Sequence, residues 1–478
     1  MRERSMASDI ADKILESEAV IFVDQYNNPQ IAYDGTGNNV SEINGAVCRQ
    51  FITNLSNDVF DHVPSAAIES QVIKVLEAKA RLSGNRYNLD ISVTRYRKHI
   101  MYDLGHGAVR VTDNNWSVIK KPPVVFRKSV NQNQQVKPKR GGDVKTLLDF
   151  VNITNESEQL LFLCYVITTF IPDIQHPVLI LHGTQGAGKT QLMQIIKSLV
   201  DHSELDTGLS TPKDEQDHAL NAYHNYVLFY DNLSDISDKL SDALCRTVTG
   251  NAFLTRKLYT NSEVFAFKFK RPVILNGLSQ IVAKSDLLDR SLVMQLERIS
   301  ADNRKEPSVL WSEFDKAKPY ILGVIFDTLI LAKAVFDKVQ PDNSSRMTEF
   351  DHWGCAIAEV LGYGQDKFKV ARSGNVALQH SNAIEASAVG QAIVEFMKNK
   401  TEWSGTPSKL YDKLVPIWER LHLEKPKDAP RLGKAINTLL PNLSAKGLKV
   451  IITRGNERTI TITKFTDGTD GNDGRMAK

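Results

Sequence analysis

The stretch LILHGTQGAGKTQL, residues 179–192, sets glycine, lysine and threonine at intervals suited to gripping phosphate. Gly183, Thr184, Gln185, Gly186, Ala187, Gly188, Lys189 and Thr190 fit the pattern G-x-x-x-x-G-K-[ST]. An apolar strand precedes the run, and a helix, TQLMQIIKSLV, follows it. In that setting the glycines let backbone N–H groups turn in around phosphate oxygens, and the helix start adds its partial positive charge. Lys189 would reach the β- and γ-phosphates and Thr190 would ligate Mg²⁺, so ATP and Mg²⁺ are the expected cofactors. Small-molecule kinases carry the same loop, so the use made of ATP must be read elsewhere.

The next strands narrow it. YVLFYDN brings Asp231 to the end of an apolar run, where a carboxylate serving Mg²⁺ belongs; a strand-end Asp capping a turn is the plainer alternative. The Glu commonly expected next, to position the attacking water, is here Asn232, which cannot take a proton. Asp235 stands nearby as an open replacement. KRPVILNG ends in Asn276, an amide placed to hydrogen-bond the lytic water, and DLLDRSLVMQL sets Arg290 between a short helix and another strand.

In this order the motifs GTQGAGKT, LFYDNLS, LCRTVTGNAFLTRKLYT, RPVILNG and LLDRSL resemble the superfamily 3 helicases and their AAA+ relatives. The nearer likeness is to primase-associated helicases and replication ATPases of phages, plasmids and mobile genomic islands. The resemblance implies a homo-oligomeric ring, usually a hexamer, with ATP between subunits. Lys189, Asp231, Asn232, Asn276 and Arg290 would form the catalytic set, Asn276 as sensor 1 and Arg290 as an arginine finger. The alternative for Arg290 is a surface arginine paired with Asp286 or Asp289. Arg346 would be a second sensor from a helical lid.

FLTRKLYTNSEVFAFKFK reads as two strand runs around Thr260-Asn-Ser262, a hairpin. In the resembled family such a hairpin enters the ring channel. Arg256, Lys257, Tyr259, Lys268 and Lys270 would then meet single-stranded DNA, Lys257 foremost; a solvated hairpin is the alternative. Near the C-terminus, SGTPSKLYDKLVPIWERL and APRLGKAINTLLPNL are helices, with Leu432, Ile436 and Leu439 facing inward. LKVIITRGNERTITITK is a hairpin. Helix, helix and hairpin in that order suggest a winged helix, with Arg431 and Lys434 toward a duplex and Arg454 and Arg458 near the wing tip. Residues 385–464 carry 14 Lys and Arg against 8 Asp and Glu, a net of +6, which exceeds the +3 of the whole chain. Winged helices also bind proteins.

The elements that must position these groups follow from the pattern. The 478 residues allow two to four domains. Residues 1–128 read as an α+β collar resembling the domain that precedes such motors, with one helix at SAAIESQVIKVLEAKARLSG and no acidic cluster or zinc motif. Residues 129–143 read as a linker, 144–307 as an α/β, AAA+-like P-loop ATPase core, and 308–375 as a helical lid. A second linker at 376–384, a winged-helix domain at 385–464 and a disordered tail at 465–478 complete the expected order. The four scattered cysteines (Cys48, Cys164, Cys245, Cys355) suit a reducing cytoplasm. The apolar run Leu160–Pro172 is too short to span a bilayer, so a soluble protein without membrane contact is expected. Two functions remain in view: a ring-shaped DNA helicase or translocase replicating a phage or mobile element, with a primase or other replication protein as a further partner; and a DNA-binding initiator using ATP as an assembly switch. A P-loop kinase, the third, lacks an acceptor site.

Overall fold

The computed structural model describes residues 6–33, 40–127, 133–202, 208–233, 236–256, 264–277, 285–300, 302, 304–342, 345–454 and 458–465. It is a mixed α/β protein. At its centre four parallel strands run in the order Leu228–Leu233, Val273–Gly277, Val178–His182, Ser291–Gln295. Their residues alternate between two cores, as the pleat requires. Leu179, Leu181, Phe229, Ile274, Leu292 and Met294 face one side, and Val178, Ile180, Leu228, Tyr230, Val273, Leu275 and Val293 the other. A sheet apolar on both faces must be covered on both. Helices Glu156–Thr168 and Lys189–Val200 contribute to the first core, and Glu215–His224 and Asp238–Thr249 to the second.

Helix Glu156–Thr168 contains most of the long apolar run. Nine consecutive residues, Leu160–Thr168, are buried, because sheet and helices enclose it. Helices Pro307–Val335, Thr348–Val360 and Gln365–Glu385 close the first core from outside. Among the described residues, one helix, Pro307–Lys338, is long and apolar enough to cross a membrane by length and composition. Its Phe314, Ile321, Ile325 and Phe326 are buried against the neighbouring elements.

The N-terminal region holds more helix than the sequence pattern gives. Helices Met6–Glu16, Ala46–Phe60 and Ala66–Leu82 pack on a three-stranded sheet around Ile14, Ile31, Ile52 and Leu76, where one helix was expected. The antiparallel strands Val93–Tyr96, His99–Asp103, Ala108–Val111 and Trp116–Ile119 instead join the first core of the central sheet. Tyr102 sits 5.3 Å from the Phe170 ring and 5.6 Å from that of Phe326. The boundary drawn at residue 128 therefore cuts through shared packing.

The described part of the expected first linker, 133–143, is a packed strap. Gln135 donates to the Tyr102 hydroxyl at 2.7 Å and to the Ser198 carbonyl at 2.9 Å. Lys139 N–H donates to the Pro319 carbonyl at 2.8 Å, and Arg140 pairs with Asp327 at 2.7 Å. The second expected linker, 376–384, continues helix Gln365–Glu385, because Gln379 donates to the Ser291 carbonyl at 2.8 Å and Ile384 enters the C-terminal core. That core holds helices Ala388–Met397, Pro407–Arg420 and Ala429–Ala445 against a sheet of Glu402–Gly405, Arg458–Lys464 and Leu448–Arg454.

Candidate functional site

Three parallel strands end side by side, and residues near or just beyond their ends meet. Lys189 opens helix Lys189–Val200 directly after the glycine-rich turn. It is 7 % exposed, and its ammonium donates to the carbonyls of Gly183 at 2.5 Å and Thr184 at 3.1 Å. Burial draws its pKa down, with the Asp231 charge acting the other way. Gly183 has a φ of +150°, and a β-carbon there would lie 2.3 Å from the Leu296 carbonyl oxygen, so only glycine fits the start of the turn.

The Thr190 hydroxyl donates to Asp231 Oδ2 at 3.0 Å. Asn276 Nδ2 donates to Asp231 Oδ1, and the Asn232 N–H reaches the same oxygen at 2.8 Å. Asn276 Oδ1 is buried without a hydrogen-bond partner among the described residues. An orphaned buried acceptor is costly unless something meets it. The turn, the lysine, the hydroxyl–carboxylate pair and this amide form a donor set suited to a nucleotide phosphate with Mg²⁺, an ion that keeps most of its ligands as water and phosphate.

Asn232 has a φ of +56°, and the strand register shifts between Tyr230 and Leu233. Such a break in register, like a bulge, re-aims a side chain. Asparagine tolerates the left-handed backbone that a glutamate would resist, which accounts for its presence at this position. Gly208 is packed so tightly beside this break that a β-carbon would lie 2.6 Å from that of Asp231.

Three residues beside the loop carried no sequence signal, because they are distant in the chain and belong to no motif. Asn152 Nδ2 donates to the Ala187 carbonyl at 3.3 Å and the Glu297 carbonyl at 2.6 Å. Ile299 N–H donates to the Gly186 carbonyl at 3.3 Å, and an Arg304 guanidinium nitrogen lies 2.9 Å from where a Gly186 β-carbon would sit. Thr184, Gln185 and Gly186 are exposed, Gly188 is half-buried and Ala187 is buried.

Arg290 is not part of this cluster. Val178 pairs with Ser291 and His182 with Gln295, so Arg290 precedes the strands and the glycine turn follows them. The two ends are about 16 Å apart at the usual strand rise. Arg290 binds Asp286 at 2.5 Å, as does Arg346, which also lies 3.5 Å from Asp289. Burial alone would raise the Asp286 carboxyl, but the Arg290 hydrogen bond and charge outweigh it and hold the pKa below its ordinary value. Arg290 Nε is buried with no hydrogen-bond partner among the described residues.

Strands Phe253–Arg256 and Val264–Phe267 pair antiparallel, giving the expected hairpin. Lys257, Tyr259 and Asp235, and the side chains of Arg256 and Arg454, lie outside the described residues. Lys268 is exposed just past the hairpin, whereas Lys270 is engaged by the Asp173 carbonyl at 2.7 Å and by Glu349 at 3.1 Å. In the C-terminal unit Arg431 and Lys434 are exposed on helix Ala429–Ala445. The Arg458 guanidinium lies against Gly433 of that helix, so it is packed beside it.

Residues 144–370 match the family described as the actinomycete integrative conjugative element replication protein, and residues 389–472 match its C-terminal domain. Among the curated proteins no relative matches. Two apo structures of the NrS-1 C-terminal region align at a TM-score of 0.44 with 11 % and 12 % identity, covering 97 % of this chain and 100 % of that one. With two consecutive models of one replication protein matched in order along the sequence, the chain is a replication protein of a mobile element.

Proposed function

We propose that the protein is an ATP-driven, ring-forming DNA helicase or translocase that replicates a mobile element, with an AAA+-like P-loop core and a C-terminal winged helix. The observation that carries this reading is the convergence of Lys189, Thr190, Asp231 and Asn276 at the ends of three parallel strands. ATP bound there supplies a phosphoryl group whose transfer to water releases energy. Gly183–Gly188 and Lys189 would hold the phosphates, and Thr190 with Asp231 would hold Mg²⁺. Asn276 orients the water that its amide can reach.

Arg290 lies too far from the loop of its own chain to act there, which supports a finger offered to a neighbouring subunit in a ring. The exposed Arg431 and Lys434, in a unit of net charge +6, support duplex contact. One observation favours a second reading, an initiator that uses ATP as an assembly switch. Asn232 stands where a catalytic base is expected, and its backbone disfavours one.

The test pairs ATP hydrolysis, with and without single-stranded DNA, with strand displacement on a forked duplex. DNA-stimulated hydrolysis and unwinding, both lost in Lys189→Ala, support the motor. Hydrolysis on DNA without displacement on any fork supports the switch.

A further inference from the structure

At the end of the central sheet away from the glycine-rich turn lies a cavity of about 550 Å³, between the N-terminal region and the base of the Phe253–Phe267 hairpin. Residues 268–271 line it as the chain passes from the hairpin into strand Val273–Gly277, whose far end bears Asn276. It is therefore separate from the candidate nucleotide site.

Its lining combines aromatic faces with cations. The Tyr26 and Tyr223 rings are 5.7 Å apart. The Arg127 guanidinium lies 3.6 Å from the Tyr223 ring centre and donates to the Tyr223 carbonyl at 2.9 Å. Its Nη2 is buried without a hydrogen bond among the described residues, 3.9 Å from the Asp24 carboxylate. Arg271 stacks 5.2 Å from the Tyr226 ring and makes no ion pair within 4 Å among the described residues; exposed Lys268 likewise makes none. The opposing acids are largely spent. Asp173 holds Arg95 at 2.5 Å, and Asp90 is half-buried, accepts from Thr94 and is pushed toward its neutral form by that partial burial.

Stacking surfaces beside unpaired cations are what an unstacked base and its phosphate require. A cavity of this volume takes a ligand of about drug size, such as one or two nucleotides, and not a duplex. We infer that this cavity binds a segment of single-stranded DNA, a base against Tyr26 and Tyr223 and its phosphates on Arg271 and Lys268. The site needs no ATP hydrolysis and would feed or receive the strand at the foot of the hairpin.

The test measures fluorescence anisotropy of a labelled oligothymidylate on the full-length protein across a salt series. Lys268→Glu changes an exposed side chain and serves as the variant least able to disturb folding. Lys268→Glu and Arg271→Ala should each weaken binding and lower the salt slope by about one unit or less. Tyr223→Leu should weaken it about 5- to 150-fold. Irradiation with a bromodeoxyuridine oligonucleotide should cross-link peptides containing Tyr26 or Tyr223. Wild-type affinity in both charge variants at every salt concentration overturns the proposal, as does a protein that binds no oligonucleotide. Cross-linking of Tyr223 by azido-ATP but not by the oligonucleotide also overturns it, making the cavity a second nucleotide site. A protein that binds the oligonucleotide here without unwinding refutes the motor and leaves this site standing.

Discussion

The Thr190 hydroxyl donates a 3.0 Å hydrogen bond to the Asp231 carboxylate, joining the helix after one strand to the end of another. If Thr190 ligates Mg²⁺ as proposed, this bond would hold it in place and raise its affinity for the cation. Asp231→Asn should therefore raise the Mg²⁺ concentration needed for half-maximal ATP hydrolysis by about 10- to 100-fold. A Mg²⁺ titration of the ATPase rate reads this directly, and an unchanged midpoint removes Asp231 from the metal site.

Asn232 supplies the backbone turn that aims Asp231. Asn232→Ala should cost about 1–2 kcal/mol in urea unfolding, and Asn232→Gly much less, because glycine accepts a positive φ without strain. Asn232→Glu should not accelerate hydrolysis, since the strained backbone displaces Asp231. A faster Glu variant would show that the position had only lacked a base.

Arg290 should act on a neighbour's nucleotide. Arg290→Ala is expected to bind ATP and to hydrolyse it about a thousandfold or more slowly. Mixing it with Lys189→Ala subunits, which keep Arg290, should restore part of the turnover. Mixed rings confirmed by mass with no recovered activity would leave Arg290 as a partner of Asp286 only.

Arg431→Glu with Lys434→Glu should weaken duplex binding and flatten its salt dependence, by about one unit of slope or less for each lost phosphate contact. Both side chains are exposed, so thermal stability should be retained. Unaltered duplex affinity would point to a protein partner for this helix.

Two buried histidines should make the protein acid-sensitive. Burial lowers His176 to about 3 and His218 to about 4 from an ordinary 6.5. Their folded pKa values lie below the unfolded one, so the unfolded chain binds protons that the native state refuses. Stability is full above pH 6.5 and falls as pH drops, by up to about 1.4 kcal/mol per pH unit for each group. Urea midpoints should decline from pH 7 to pH 4, and less steeply in His176→Gln. Equal slopes in the two proteins would count against a neutral, buried His176.

Some of the site was legible because its information is local. The glycine turn between an apolar strand and a helix is specified within a dozen residues, and Asp231, Asn276 and Arg290 each stand at the border of a short apolar strand. Strand borders mark the edges of the sheet, where side chains can leave the core. The N-terminal helices were harder to read. Helix Ala46–Phe60 buries only Cys48, Ile52 and Ser56, too weak a stripe to stand out. The supposed linkers were polar by composition, yet Gln135, Arg140 and Gln379 spend that polarity on hydrogen bonds to elements far away in the chain.

The sequence by itself determined the glycine-rich turn between strand and helix, the strand ends that accompany it and the C-terminal helix bearing Arg431 and Lys434, since each depends on neighbouring residues and a fixed periodicity. Only the tertiary structure decided that Arg290 lies at the far end of the sheet from Lys189, because that follows from parallel pairing of Val178 with Ser291. It also decided that Arg304 and Asn152 lie beside the turn, and that Arg127, Arg271 and Tyr223 line one cavity. Those groups meet because burying both faces of one sheet brings together segments between which the chain carries no local signal.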